Sequence, residues 1–287
     1  MVRILGIVNL TGDSFYAGSR TAVADVAARV KQMWADGATA VDLGACSTRP
    51  GAPQPSLEEE WARLEPALRI LAGIQEGITA AFARTGSRSG AEVIPSCIPP
   101  ISIDTYRSEI VRRAYDLIGP FMVNDISAGA LDPQMLAVVG RLGLPYVAMH
   151  MRGTPETMQQ LTQYGDLVGD IKAYFRDFAL RAEDAGIREW ILDPGFGFSK
   201  TLEQNYELLR RLPELLEIGR PILVGVSRKS MVYKPLGITP EEALPATQVV
   251  QFAALERGAT WLRVHDVREA VQTVLLYQQT FPGVVGK

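Results

Sequence analysis

Cysteine and histidine are both scarce, with two of each in 287 residues. Cys46 and Cys97 cannot build a disulfide framework or a multi-cysteine zinc site, and such thin usage fits a reducing compartment. Neither is a candidate nucleophile. Cys46 lies just past the second strand-like run with no base or cation in the sequence to activate it, and Cys97 sits in a proline-rich connection. Positive charge is not in excess either: 29 Lys and Arg against 32 Asp and Glu leave a net charge of −3, dispersed along the chain. That excludes an electrostatic footprint for nucleic acid and leaves small anions as possible ligands. No apolar run approaches the ~20 residues of a membrane span. The first strand-like run begins at Arg3, so neither a signal peptide nor a membrane segment is expected, and the expected compartment is the cytoplasm. No G-x-G-x-x-G follows that first run, which removes the chief mark of an open, doubly wound dinucleotide-binding sheet.

What the chain does have is one short phrase, repeated. An apolar run of strand length stops at a polar group in RILGIVN, AVDLG, ISID, FMVND, YVAMH, ILD, PILVGVSRK and WLRVH, eight times in all. Segments of helical periodicity separate them, among them Asp25–Asp36, Arg107–Ile118, Glu203–Leu216, Glu241–Arg257 and Arg268–Thr280. Alternation of this kind predicts right-handed strand–helix units and a parallel sheet. With 47% hydrophobic residues the chain suits one α/β domain over 1–287, a TIM (β/α)8 barrel of about 250 residues plus an insertion. The insertion falls at 74–100, between the second helix and the third strand. It opens on the amino-terminal face, opposite the site, so its Arg84 and Arg88 are poor site candidates. Ser56 is read as the cap of the second helix, with Glu59 completing a capping box.

Barrel closure brings all the carboxyl ends of the strands to one mouth, so residues from Asn9 to His265 share one pocket. The most informative stretch is Ile191–Lys200, ILDPGFGFSK. The strand ends on the carboxylate of Asp193, Pro194, Gly195 and Gly197 end regular pairing, and Phe196 and Phe198 offer flat faces, as in a ligand cradle. Asp104 and Asn124 end adjacent strands. Asp and Asn at strand–helix turns also cap helices, and for any one of them alone that reading weighs equally. Several converging on one mouth favour a site. His150 is read as a core histidine satisfied by a neighbour.

The chain resembles the dihydropteroate synthases nearly end to end. The resemblance rests on GIVNLTGDSF at 6–15, DLGACSTRPGA at 42–52, SIDT at 102–105, ND at 124–125, MHMRGTP at 149–155, LDPGFGFSK at 192–200, SRKS at 227–230 and LRVHD at 262–266. Gly12, where members often have Pro, and Ala45–Cys46, where they often have Gly-Glu, depart from the pattern. The resemblance implies transfer of a pterin methylene from diphosphate to p-aminobenzoate. Asp193, Asp104, Asn124 and Lys229 would hold the pterin edge, with Phe198 beside it. Arg263 and His265 would face the diphosphate. Mg²⁺ is the implied cofactor, on Asn9 and on Asp13 once the loop Leu10–Ser19 after the first strand closes. Thr48 and Arg49 would contact the diphosphate or shape the second pocket. Phe15 and Pro50 would pack the ring of p-aminobenzoate, and Ser230 would receive its carboxylate. Catalytic weight falls on Asp104, Lys229, Arg263 and His265. The partners implied are these small substrates and a second copy of the chain, as a homodimer. A pterin-dependent methyltransferase serving a corrinoid partner and a non-catalytic pterin-binding barrel are the competing readings.

Overall fold

The computed structural model describes residues 1–10, 25–46, 54–85 and 101–282, with the side chains of the second helix described as far as Gly73. Eight parallel strands alternate with helices, as the repeated phrase predicts. They are β1 (Arg3–Asn9), β2 (Ala40–Gly44), β3 (Ile101–Asp104), β4 (Met122–Asp125), β5 (Tyr146–Met149), β6 (Trp190–Asp193), β7 (Leu223–Val224) and β8 (Trp261–Val264). The helices are α1 (Val26–Ala35), α2 (Leu57–Thr85), α3 (Ser108–Ile118), α4 (Met135–Leu142), α5 (Leu167–Asp184), α6 (Leu202–Arg210), α7 (Ser230–Tyr233), α8 (Leu244–Glu256) and α9 (Val267–Thr280). Pairing runs β6-β5-β4-β3-β2-β1-β8-β7. The barrel closes between β6 and β7 through a bridge from Leu192 to Ile222 and the bond from Leu192 N–H to the Pro221 carbonyl, 2.9 Å. Pro221 has no N–H to add to this seam, and it is the thinnest in the sheet.

Period-two alternation divides the strands into an outward and an inward set. Outward residues such as Ile4, Val41, Ile103, Val123, Leu192 and Leu262 join the large core under the helices. The inward residues stack in two layers. Leu5, Ala40, Met122, Val147, Ile191, Leu223 and Trp261 form a buried apolar plug inside the barrel. Two positions further along their strands stand Asp42, Asn124, Met149, Asp193 and Arg263. The barrel is thus solid below and polar above, a packed core with a chemically equipped mouth.

Ser56 and Glu59 form the expected capping box, Ser56 N–H donating to Glu59 Oε2 at 2.7 Å and Glu59 N–H to Ser56 Oγ at 3.3 Å. Helix α2 continues to Thr85, so the segment 74–100 read as an insertion begins as helix. Residues 86–100, with Arg88 and Cys97, lie outside the described residues. The helix expected over Glu203–Leu216 is broken: α6 ends at Arg210, and a 3₁₀ helix, Leu212–Ile218, follows with Pro213 in its first turn. Helix α4 was not anticipated, its eight residues being too few for a clear period. Among the described residues no helix is long and apolar enough to cross a membrane.

Candidate active site

Asn9, Gly44, Asp104 and Asn124 occupy one register row across β1, β2, β3 and β4. Gly44 contributes no side chain to that row. A methyl group built on it would lie 3.5 Å from Asn9 Oδ1 and 3.7 Å from Asp104 Oδ2, so the two oxygens look onto the same small space. Asn124 is buried and faces inward, whereas its neighbour Asp125, on the opposite face, is spent on structure. Asp125 accepts from Tyr146 Oη at 2.6 Å, from the Ser127 N–H and Oγ, both at 2.7 Å, and from the Gly129 N–H at 2.8 Å. Alternation alone separates the site residue of the ND pair from the scaffold residue.

Arg263 ties the row together. Its Nε donates to Asp42 Oδ2 at 2.7 Å and its Nη2 to Asp104 Oδ2 at 2.9 Å. Asn124 Nδ2 donates to the same Asp42 oxygen at 2.9 Å. Burial pushes the Asp104 carboxyl up to about 7, against the pull of Arg263 and with the help of the Asp42 charge. Sequence reasoning passed over Asp42. The signal was its place two residues after inward Ala40, on the face that carries Asp104 and Asp193.

Asp193 ends β6, with Oδ1 accepting the Gly195 N–H at 2.8 Å. The glycine is obligatory there, because it has φ +72° and a Cβ would lie 2.1 Å from the His150 carbonyl oxygen. Lys200 holds the loop from behind. Its Nζ donates to the carbonyls of Gly195 and Phe198, both at 3.0 Å, and meets His150 Nδ1 at 3.1 Å. Burial pulls Lys200 down to about 7, against the attraction of Asp193. His150 is therefore the satisfied core histidine expected, held well below its ordinary range by burial and then by Lys200.

Lys229 reaches in from the turn after β7. Its Nζ lies 2.5 Å from the Phe196 carbonyl and 4.7 Å from the centre of the Phe198 ring. Burial lowers it to about 8, and the Asp193 charge opposes that shift. The turn is held by Arg228, at φ +53°, which forms a two-pronged pair with Asp266 (2.8 and 3.0 Å) and donates to the carbonyls of Pro240 and Glu241, both at 2.7 Å. Ser230 opens α7 directly after Lys229. His265 lies one residue past β8, with Nδ1 3.0 Å from Ser227 Oγ. Burial, and next the charge of Arg263, pull it down to about 3, so its ring is neutral. An apolar wall completes the mouth: Ile126, Met149, Met151 and Met158 cluster, with Phe198 and Tyr106 packed on them. Sequence reasoning named only Phe198 of this wall, although Met149 lies in register with Asp193.

Cys46 is inert. Burial and the nearby Glu60 raise its thiol well above the ordinary range. Glu60 is itself buried, ion-paired with Arg107 and accepting from Thr105 Oγ1 at 2.6 Å. Phe15, Asp13, Thr48, Arg49 and Pro50 lie outside the described residues.

Residues 5–81 and 90–265 match the family described as pterin binding enzyme. The dihydropteroate synthase of Synechocystis sp. is 40% identical over 273 residues, covering 94% of this chain and 86% of its own. The structure of Yersinia pestis dihydropteroate synthase with a sulfonamide drug complex superposes with a TM-score of 0.83 at 33% identity, over 97% of this chain and 93% of the other. The dihydropteroate synthase from Thermus thermophilus in complex with 4-aminobenzoate gives 0.79 at 35% identity, over 98% and 95%.

Proposed function

The chain belongs to the pterin binding enzyme family, and we propose that it joins 6-hydroxymethyl-7,8-dihydropterin diphosphate to p-aminobenzoate, giving 7,8-dihydropteroate and diphosphate. Dihydropteroate synthase activity makes it a transferase of folate synthesis. One observation carries the assignment of roles: acceptors from three strands, Asp104, Asn124 and Asp193, face one mouth beside Lys229 and Arg263. A pterin presents adjacent N–H donors on its amino-pyrimidinone edge and a carbonyl next to them. Asp193 and Asn124 accept from that edge, Lys229 donates to the carbonyl, and the ring lies against Phe198 and the methionines.

His265, fixed by Ser227, and Arg263 stand on the diphosphate side. The mouth suits Mg²⁺ as an ion arriving with the substrate. Among the described residues no group of three or more His, Cys, Asp or Glu could hold a metal unaided, while Asn9 Oδ1 is a hard oxygen donor facing the space over Gly44. Asn9, with Asp13, would hold it, and there it would neutralise charge on the diphosphate. No side chain among those described in the mouth is placed as a covalent nucleophile. The carbon–oxygen bond ionises, diphosphate departs, Asp104 and Asp193 favour the electron-poor pterin methylene, and the neutral amine attacks it and loses a proton to the departed diphosphate. Phe15, Pro50 and Ser230 are assigned to the second substrate, and Thr48 and Arg49 to the diphosphate or to the wall of the second pocket. The sulfonamide complex of the Yersinia pestis relative supports an aromatic-amine pocket of that kind.

Two copies of the chain are proposed to pair through α8 and α9, where Val249, Leu275 and Leu276 are 70%, 55% and 65% exposed. We place the reaction in the cytoplasm, in keeping with the sparse cysteine.

The test is product formation and diphosphate release with both substrates and Mg²⁺. Coupled appearance of dihydropteroate and diphosphate is expected. Pterin binding without diphosphate release would support the non-catalytic barrel instead. Incubation without the amine tests ionisation: slow diphosphate release is expected, and strictly amine-dependent cleavage overturns the cation.

A further inference from the structure

We propose that Asp42 is a positioning residue, which dictates the atom of Asn124 that the pterin meets and holds Arg263 in place between two carboxylates. The proposal rests on the pterin reading of the mouth. Asp42 is fully buried in the middle of β2, and a single oxygen, Oδ2, receives both Asn124 Nδ2 (2.9 Å) and Arg263 Nε (2.7 Å). An ionised carboxylate only accepts, so the amide of Asn124 has one permitted orientation. Its NH₂ is turned to Asp42, and its Oδ1 is left as the acceptor for a ligand N–H. Rotated by half a turn, the amide would set oxygen against oxygen and offer the pterin edge a donor where a donor already stands. The same Asp42 oxygen fixes the Arg263 guanidinium, whose Nη2 reaches Asp104 Oδ2 at 2.9 Å. Asn124, Asp42, Arg263 and Asp104 thus form one chain of contacts drawn from β4, β2, β8 and β3.

The second oxygen of the Asp42 carboxylate adds nothing to the fold. Asp42 Oδ1 and, opposite it in register, Ser102 Oγ are buried without a hydrogen-bond partner among the described residues. A buried charge with one oxygen unpaired is a cost to the fold. Arg263 offsets that charge through Oδ2 alone. A residue that breaks a local rule in this way beside a site is retained for what it does to the site.

The experiment uses the full chain, with 6-hydroxymethylpterin as the binding probe in calorimetry and steady-state kinetics alongside. Binding by the parent protein checks the pterin reading; the variants check Asp42. Asp42→Ala should weaken probe binding about tenfold or more, because the amide of Asn124 loses its enforced orientation, whereas Asp42→Asn, whose carbonyl oxygen Arg263 Nε holds at the same place, should stay within about threefold of the parent. The KM for p-aminobenzoate should stay within about twofold, since the Asn124 contact is to the pterin. Asn124→Asp sets two carboxylates against each other and should lose a similar amount. The Asn124→Asp and Asp42→Asn arms stand even if Asp42→Ala does not fold. Parent-like probe affinity in Asp42→Ala or in Asn124→Asp, or a tenfold loss in Asp42→Asn, overturns the proposal.

Discussion

Asp193→Asn should abolish most pterin affinity while leaving the fold intact, and the structure says why. Asp193 Oδ1 is committed to the Gly195 N–H at 2.8 Å, and Gly195 cannot retreat because it already lies against the His150 carbonyl. In the asparagine variant that N–H still requires an oxygen, so the carbonyl end of the amide is taken. The NH₂ is then the group turned to the ligand, a donor facing a donor. The loss combines a charge-assisted bond with an unsatisfied buried donor, about 2–4 kcal/mol, or roughly 30- to 1000-fold in affinity. Stability should move the other way. Burial raises the Asp193 carboxyl above its ordinary range, so its charged form is a cost to the unliganded fold that the neutral amide lacks. Calorimetry with 6-hydroxymethylpterin, beside a thermal melt of the unliganded protein at pH 7, reads both. Unchanged affinity in a folded variant would remove Asp193 from the pterin edge. A large drop in melting temperature would mean that the carboxylate is structural.

Lys229→Ala should reduce turnover with pterin diphosphate by at least about tenfold without unfolding the barrel, because it deletes the cation beside Asp193 and Phe198; wild-type kinetics would contradict the assignment. Arg228→Met should cost about 3–5 kcal/mol in denaturant unfolding, since it leaves Asp266 and two carbonyls without their donor; a change below about 1 kcal/mol would show that the turn does not depend on it. Asp104 contributes a pH dependence of fixed sign. Its folded pKa of about 7 lies above the ordinary 3.8, so its contribution to stability is full below 3.8 and is lost as pH rises through 7. Melts of metal-free protein should therefore show Asp104→Asn gaining on the parent from pH 4 to pH 8, and a constant difference would refute the raised pKa. Cys46→Ser should keep full turnover, and alkylation of Cys46 at neutral pH should be slow.

The barrel was legible in the sequence because its cause is local and repeated. Each strand needs only a short apolar run, each stop needs a polar group or glycine, and eight repetitions leave few ways to close a parallel sheet. Asn9, Asp104, Asn124 and Asp193 were legible as strand ends for the same reason, whereas Lys229, five residues past β7, entered through the family resemblance. So was His150 as a core residue, although the lysine that satisfies it was not. The capping box of α2 was spelled out in four letters. Tertiary structure alone decided which charges meet. Arg263 lies 221 residues from Asp42 and 159 from Asp104, and no local pattern states that one guanidinium will bridge them. Asp42 and Asp125 look alike in sequence, each an aspartate in a strand. The face of the sheet makes one the hinge of the site and the other a peg for a turn. The pKa values near 7 of Asp104 and Lys200 likewise belong to the fold, because desolvation arises only when the surrounding strands and loops have excluded water. Sequence determines what each strand can carry to the mouth; only the closed barrel determines what it finds there.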